Sequence, residues 1–262
     1  MRNISLVILF FLSYSCTSMS QERRDSVINT SDSISCQKDS IITSRLTLLF
    51  AGDLMQHQAQ INAARTSTGY NYSDCFKFVK EEINRADIAI ANLEVTLGGK
   101  PYRGYPAFSA PDEYLFAIRD AGFDVLITAN NHCLDKGKKG LERTLLMLDS
   151  LQIPHAGTYV NTESREQQYP LLLEKNGFRI ALLNYTYGTN GIKVTSPNVV
   201  NYIDKAVMKQ DIEAARAQHP DALIACMHWG DEYQSLPNKE QKNLTDWLLQ
   251  QGVTHIIGSH PH

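Results

Sequence analysis

The sequence predicts an α/β fold, because short apolar runs alternate with segments of helical spacing along most of the chain. Residues 45–51 and 87–91 are apolar runs with the length of buried strands, and helical patterns at 58–65 and 112–121 follow them. This β-α-β-α-β-α-β order continues to about residue 157 and is typical of an α/β sheet. Of the 262 residues, 43% are hydrophobic, which is enough to bury a core in one domain or at most two.

The other elements are assigned from the same patterns. Further strands are predicted at 125–128, from residue 154, at 223–227 and at 253–257. The dipeptide Asn176-Gly177 lies between the apolar runs 171–175 and 178–184 and predicts a β-hairpin. Further helices are predicted from Ser73, as the N-cap, and at 138–151, 205–218 and 239–251. The long loop 98–111 is rich in Gly, Pro and Tyr, and loops of this length are often functional.

The N-terminal residues have the pattern of an export signal. Arg2 is followed by the apolar run 4–12, which is too short to span a bilayer. Leu12-Ser-Tyr-Ser-Cys16 resembles a bacterial lipoprotein cleavage box with Cys16 as the lipidated residue. Because Ser13 stands where an aliphatic residue is usual, simple secretion is the alternative. We therefore assign residues 1–16 to a signal, 17–44 to a polar tether and 45–262 to the folded domain.

Charge and cysteine content exclude several classes of function. The net charge of −3 provides no polycationic surface, so nucleic acid is not an expected partner. The five cysteines show no spacing typical of a disulfide framework or a Cys-rich zinc site. Cys133 is therefore expected to be a small buried hydrophobic residue.

Five clusters of potential metal ligands follow predicted strands, and such strand ends converge on one crevice in α/β sheets. Carboxylate, imidazole and amide ligands together favour Zn, Mn or Fe over Ca or Mg. Their number favours two ions bridged by a carboxylate. Pro261 is expected to bias His260 toward extended backbone. The clusters are Asp53/His57, Asn92/Glu94, Asn131/His132/Asp135, His228/Asp231/Glu232 and His260/His262.

The motifs within these clusters occur in a recognisable order. They are Gly52-Asp53-Leu-Met55, Asn92-Leu-Glu94, Asn131-His132-x-x-Asp135-x-Gly137, His228-Trp-Gly230-x-Glu232-Tyr233 and Gly258-Ser-His-Pro-His262. Over residues 46–262 the chain resembles the bacterial capsule-synthesis (CapA, poly-γ-glutamate synthesis) family, a branch of the calcineurin-like metallophosphoesterases. The resemblance implies a metallophosphatase-like four-layer sandwich, in which helices flank two packed mixed β-sheets.

The resemblance also implies roles for individual residues. Asp53 and His262 would bind one divalent ion, and Glu94 would bridge it to a second. His132 would be the catalytic histidine, and Asp135 would orient it. The ligands of the second ion would be Asn131, His228 and His260.

Two departures from the family pattern affect these expectations. Met55 occupies the position where the superfamily usually has a histidine ligand, and a thioether binds hard ions poorly. Either the first metal site is weak, or His57 replaces Met55 as a ligand. The chain also stops at His262, directly after the last motif, so we expect a C-terminally truncated fold with an exposed sheet edge.

Two functions are compatible with these residues. The first is an exported or lipid-anchored metal-dependent hydrolase of the phosphoesterase type, which acts in capsule or exopolysaccharide production on a phosphoester or an anionic polymer. The second is a non-catalytic accessory subunit that tethers or helps to export an anionic polymer; Met55 favours this function, whereas His132 favours the first. Either protein would lie in the cell envelope beside other capsule-synthesis membrane proteins.

Overall fold

The computed structural model of the protein describes residues 5–6 and 44–262. Its strands are β1 (Ser5–Leu6), β2 (Thr47–Leu54), β3 (Ile88–Leu93), β4 (Val125–Ile127), β5 (His155–Ala156), β6 (Thr158–Tyr159), β7 (Leu171–Lys175), β8 (Phe178–Thr186), β9 (Val199–Val200), β10 (Ala222–His228) and β11 (His255–Ser259). Its α-helices are α1 (Gln58–Ala63), α2 (Lys80–Ile83), α3 (Asp112–Ala121), α4 (Gly137–Ser150), α5 (Thr162–Gln168), α6 (Lys205–Ala217) and α7 (Lys239–Gln250).

Two sheets form the centre of the fold. The first has the strand order β1-β2-β3-β4-β5 and is parallel throughout. The second has the order β11-β10-β8-β7, in which only the β7–β8 hairpin is antiparallel. Strands β6 and β9 form a separate antiparallel pair. The α/β architecture with two main sheets confirms the predicted fold class, although only the second of these sheets is mixed.

Strand alternation explains why the fold has four layers, because successive side chains point to opposite faces of a sheet. In β3, Ile88 and Ile90 belong to the core between the sheets, where they meet Ile180 and Ile224 of the second sheet. The alternate residues of the strands pack outward, against α3 and α4 on the first sheet and against α6 and α7 on the second. Both faces of both sheets are therefore covered.

Some local predictions were wrong. Residues from Ser73 do not form one continuous helix, because a 3₁₀ helix, Ser73–Cys75, precedes the separate four-residue helix α2, and Tyr72 rather than Ser73 is the N-cap. The strand predicted from residue 154 is divided at Gly157, whose φ is 123° and where a Cβ atom would collide with the Asn184 side chain. Helix α5 was not predicted from its polar sequence, and its N-cap is Asn161.

The open sides of the two sheets lie next to each other. Strand β11 is the edge of the second sheet, and β2 is paired on its outer side only with the two residues of β1. A cavity of about 1010 Å³ lies beside these strands and is lined mainly by apolar side chains, including Phe50, Leu54, Phe76 and Ile257.

The predicted signal and tether lie outside the described residues, apart from Ser5, Leu6 and Ser44. The prediction of a signal therefore stays a prediction, although Ser5 and Leu6 pair with Thr47 and Leu48. Within the described part of the chain, no helix has the length and apolar character needed to cross a membrane.

Candidate metal centre

Five of the predicted site residues lie in or directly after strands at one end of the two sheets. Asp53 is in β2, Glu94 follows β3, His228 is the last residue of β10, and His260 and His262 follow β11. Because β2 and β3 are parallel, as are β10 and β11, their carboxyl ends meet at the same edge. The Asn131 side chain reaches the same place from the loop after β4.

Asp53 connects the two sheets at this edge. Its Oδ1 accepts a hydrogen bond from Asn92 Nδ2 at 2.7 Å. Its Oδ2 accepts one from the His260 backbone N–H at 3.0 Å and lies 3.0 Å from His262 Nδ1. Burial alone would raise the pKa of Asp53, but the hydrogen bonds from Asn92 and His262 hold it below its ordinary value. Asp53 is therefore ionised at neutral pH.

Glu94 is the most deeply buried carboxyl group of the cluster. It is fully buried, and its Oε2 accepts a hydrogen bond from Asn92 Nδ2 at 3.2 Å. Its Oε1 has no hydrogen-bond partner among the described residues and lies 3.6 Å from His228 Nε2. Burial, followed by the negative charge of Asp53, raises the pKa of Glu94 to about 10. Without a cation nearby, Glu94 is therefore protonated at neutral pH.

The histidines of the cluster are held in their neutral form. Burial lowers the pKa of His228 to about 3 and also lowers the pKa of His260. His228 Nε2 lies 2.8 Å from Asn131 Oδ1, and its Nδ1 lies 3.0 Å from Ser259 Oγ. Because the amide oxygen of Asn131 can only accept, His228 Nε2–H donates to it here, and Nδ1 accepts from the Ser259 hydroxyl. A metal at Nε2 would require the other tautomer, in which Nδ1–H donates to Ser259 Oγ and the second nitrogen is fixed by that neighbour.

The backbone of His260 differs from the prediction. Its φ is 106°, in the left-handed region that favours glycine, and not the extended conformation expected before Pro261. The prediction was wrong because a tertiary contact outweighs the local preference: in this conformation the His260 N–H reaches Asp53. Backbone strain of this kind is common at functional sites.

These residues fit a centre with two metal ions. Glu94, His228 and His260 offer ligand atoms within 4.8 Å of one another, and so do Asp53, Glu94 and His262. Glu94 belongs to both groups and would be the bridge. Glu94 Oε1 and His260 Nδ1 are buried without a hydrogen-bond partner among residues 44–262. Since an unpaired buried polar atom is costly, both atoms have the environment expected of metal ligands.

His132 and Asp135 form a pair beside the cluster. His132 Nδ1 lies 2.8 Å from Asp135 Oδ2, which also accepts the Phe108 backbone N–H at 2.8 Å. An ionised carboxylate only accepts hydrogen bonds, so Nδ1 carries the proton and Nε2 is the nitrogen left for chemistry. The Phe108 ring packs edge-on against the imidazole, with 4.6 Å between the ring centroids.

The proposed replacement of Met55 by His57 has no support in the geometry. Met55 packs against the outer core of the first sheet. His57 lies at the N-terminus of α1, where its ring contacts Phe108 at 5.2 Å, and it belongs to neither group of potential ligands. Asp231, from the fourth cluster, is exposed and accepts a hydrogen bond from Asn238 Nδ2.

Three further side chains support the site, and of these the sequence indicated only Asn92. Asn92 donates to both Asp53 and Glu94, and its place in the Asn92-Leu-Glu94 motif was the one available signal. Asn190 Oδ1 accepts a hydrogen bond from Asn131 Nδ2 at 3.2 Å, and the Tyr187 ring packs on His260 with 4.8 Å between centroids. Tyr187 and Asn190 lie in an irregular loop after β8, where no sequence pattern indicates a contact with the site.

Fold and site together define an α/β protein of two packed sheets with a cluster of potential metal ligands at the strand ends. Residues 47–262 match the model of a protein family described as "Bacterial capsule synthesis protein PGA_cap". The chain belongs to this family.

Two curated relatives carry related names. The chain is 27% identical over 231 residues to "Capsule biosynthesis protein CapA" of Bacillus anthracis, covering 83% of this chain and 54% of the relative. It is 27% identical over 227 residues to "PGA biosynthesis protein CapA" of Bacillus subtilis (strain 168), and this match covers 83% of this chain and 57% of the relative. The chain therefore spans a little over half the length of these relatives.

Replacing Glu94 by glutamine tests the electrostatics of the cluster in metal-free protein. Because the pKa of Glu94 is about 10 in the folded state and near 4.5 when exposed, the folded state binds the proton more tightly. The free energy of unfolding should therefore fall as pH rises from about 4.5 to about 10. With a chelator at pH 8, Glu94→Gln should therefore be more stable than wild type by about 1–3 kcal/mol in the free energy of unfolding. This difference should appear as a higher melting temperature.

The measurement is the melting temperature from pH 5 to pH 9. The difference between Glu94→Gln and wild type should shrink toward pH 5, while the exposed control Glu166→Gln should follow wild type throughout. Parallel pH curves for Glu94→Gln and wild type would show that Glu94 does not titrate as described.

Proposed function

We propose that the protein is an exported metal-dependent hydrolase of the phosphoesterase type that acts in the biosynthesis of a polyglutamate-type capsule polymer. The observation that carries this proposal is the pairing of two groups of potential ligands, joined through Glu94, with the His132–Asp135 pair beside them. The family and the names of its two relatives support the link to capsule synthesis. The proposed substrate is a phosphoester or an anionic polymer.

The proposed ligands divide into two sets that share Glu94. Asp53 and His262 would bind one divalent ion, for which Mn, Zn or Fe fits the ligand types. Asn131, His228 and His260 would bind the other. Bound ions would supply Lewis acidity and lower the pKa of water. Asn92 holds the carboxylates of Asp53 and Glu94 in place, and deep burial of Glu94 and His228 limits competition from solvent.

His132 is the proposed general acid. Its Nδ1–H is held by Asp135, which is fixed in turn by the Phe108 backbone N–H. A protonated Nε2 could donate its proton to the oxygen of the leaving group, and the Asp135 carboxylate would stabilise the imidazolium before that transfer. The neighbouring Asn131 would offer its amide oxygen to the metal, so the two adjacent residues would have different tasks.

The alternative is an accessory subunit that tethers or helps to export the polymer without catalysis. The observation that favours it is Met55, which is partly buried against the core and stands where the superfamily usually has a histidine ligand. This protein would bind metal and polymer but would not turn over any ester. The proposed partners in either case are other membrane proteins of capsule synthesis.

Removing two imidazoles should remove most of the bound metal. In His228→Ala/His260→Ala the group that these residues form with Glu94 loses two of its three side chains. Metal content of purified protein should drop from about two ions per chain. The matched control, His219→Ala/His255→Ala, removes two histidines outside the cluster and should keep its metal. Unchanged metal content in a folded His228→Ala/His260→Ala protein, checked by circular dichroism, would refute the ligand assignment.

Replacing His132 by asparagine should separate proton donation from metal binding. We expect His132→Asn to keep its metal and to lose about 10²–10⁴-fold in rate on an ester with a poor leaving group. The loss should be much smaller with a nitrophenolate leaving group, which needs little protonation. Equal losses on both esters would exclude the acid role, and loss of metal would make His132 a ligand. Wild type that turns over neither ester would favour the accessory subunit.

Anchoring in the cell envelope depends on Cys16, which lies outside the described residues. We propose that Cys16 becomes the mature N-terminus and carries lipid, since a multiply acylated cysteine would anchor the protein stably. A fatty-acid analogue should label the wild type and the control Cys36→Ala, but not Cys16→Ala. Equal labelling of Cys16→Ala and wild type would show that Cys16 is not the lipidated residue. Labelling of none of the three proteins would favour simple secretion.

A further inference from the structure

A second concave site lies outside the candidate metal centre, between α1 and the loop 98–111. Its volume is about 500 Å³. The residues that line it are Gln58, Ile61, Arg65, Tyr70, Lys100, Pro101 and Tyr102. The sequence singled out the loop for its length and composition, and the proposed reaction assigns no task to this part of it.

The charge of this pocket is positive. Arg65 and Lys100 are both exposed, and no carboxylate lines the pocket. Within residues 44–262 neither cation forms an ion pair. Asp112 and Glu113 act electrostatically on Tyr102 but do not line the pocket, and Asp112 is already held by both guanidinium nitrogens of Arg143, at 2.8 and 2.7 Å. The pocket therefore presents two cations free to bind an anion.

Aromatic side chains give the pocket an apolar wall. The rings of Tyr70 and Tyr102 meet edge to face, with 5.4 Å between their centroids. Such a wall can pack against the aliphatic part of a ligand, while an arginine fork can bind a carboxylate with two hydrogen bonds. Carboxylates separated by short apolar segments fit this combination.

The pocket is connected to the candidate metal centre by a row of contacts. Phe108 packs on His132 at 4.6 Å, and His57 packs on Phe108 at 5.2 Å. The next residue, Gln58, lines the pocket and accepts a hydrogen bond from the Gly104 backbone N–H at 3.3 Å. Arg103, exposed and without an ion pair in the described chain, lies in the same loop.

We propose that the Arg65–Lys100 pocket is a subsite for a carboxylate-bearing polymer, which it holds at a distance from the reacting group. This rests on the proposed function, because it deepens the choice of an anionic polymer as substrate. A polyanion bound at both places would gain affinity from two linked contacts. Because the net charge of the protein is −3, most of its surface does not attract a polyanion. The polymer should therefore bind where two unpaired cations lie together.

The test measures binding alone, in the whole folded domain with a chelator, so that it does not depend on metal or turnover. The probe is a fluorescent oligomer of glutamate, followed by anisotropy at low salt. We expect Arg65→Ala/Lys100→Ala to weaken its binding by about tenfold or more, as for loss of charge-assisted hydrogen bonds. Arg65→Lys should weaken it less, because the charge is kept and the fork is lost.

The control is Arg45→Ala/Lys175→Ala, which removes the same two residue types. Arg45 precedes β2 and Lys175 ends β7, so both lie at the opposite ends of the sheets from the site. This control should bind the oligomer within about twofold of wild type. Equal weakening in both double variants, or in neither, would overturn the proposal.

Two competitors identify the ligand chemistry. The first is an oligomer of a uronic acid, which carries one carboxylate per unit, as the glutamate oligomer does. If it displaces the probe, the subsite also accepts a saccharide polymer, and if it does not, the subsite is restricted to an amino-acid polymer; both results support a carboxylate-bearing polymer. Inorganic phosphate as effective as the oligomers would contradict it and would leave a general oxyanion site. If binding depends on Arg65 and Lys100 while no ester is turned over, the subsite stands and the hydrolase proposal fails.

Discussion

The contact between Asp53 and the segment after β11 is the constraint on which the site depends. The Asp53 carboxylate, from the first sheet, accepts the His260 N–H of the second sheet and contacts His262. This contact holds the two sheets in register at their carboxyl ends. It also holds His260 in a conformation with positive φ, which local preference before proline opposes. Through it, His260 and His262 lie beside Asp53 and Glu94, the two carboxyl groups of the first sheet.

The part of the site that the sequence predicts is the part fixed by strand ends. Asp53, Glu94, His228 and His260 each lie at the end of an apolar run, and parallel strands bring such ends together whatever their separation in the chain. The alternation of Ile88 and Ile90 with Ala89 and Ala91 likewise determines which side chains lie between the sheets. Periodicity carries this information because it follows from backbone geometry alone.

Tertiary contacts decide the features that the sequence does not predict. Tyr187 and Asn190 approach Asn131 and the histidines from an irregular loop, and no spacing rule places such a loop over a site. The segment from Ser73 has helical spacing, yet it is divided between a 3₁₀ turn and α2. The Arg65–Lys100 pocket depends on the docking of the loop 98–111 on α1, which composition alone could not indicate.

The most direct test of a two-metal centre is anomalous diffraction from crystals of the protein grown with Mn²⁺. Two ions bridged by Glu94 should give two peaks about 3.5–4 Å apart. One should lie among Asn131, His228 and His260, and the other between Asp53 and His262. Crystals that bind Mn²⁺ elsewhere, or show no peak beside Glu94, would contradict the assignment of this cluster as a metal centre.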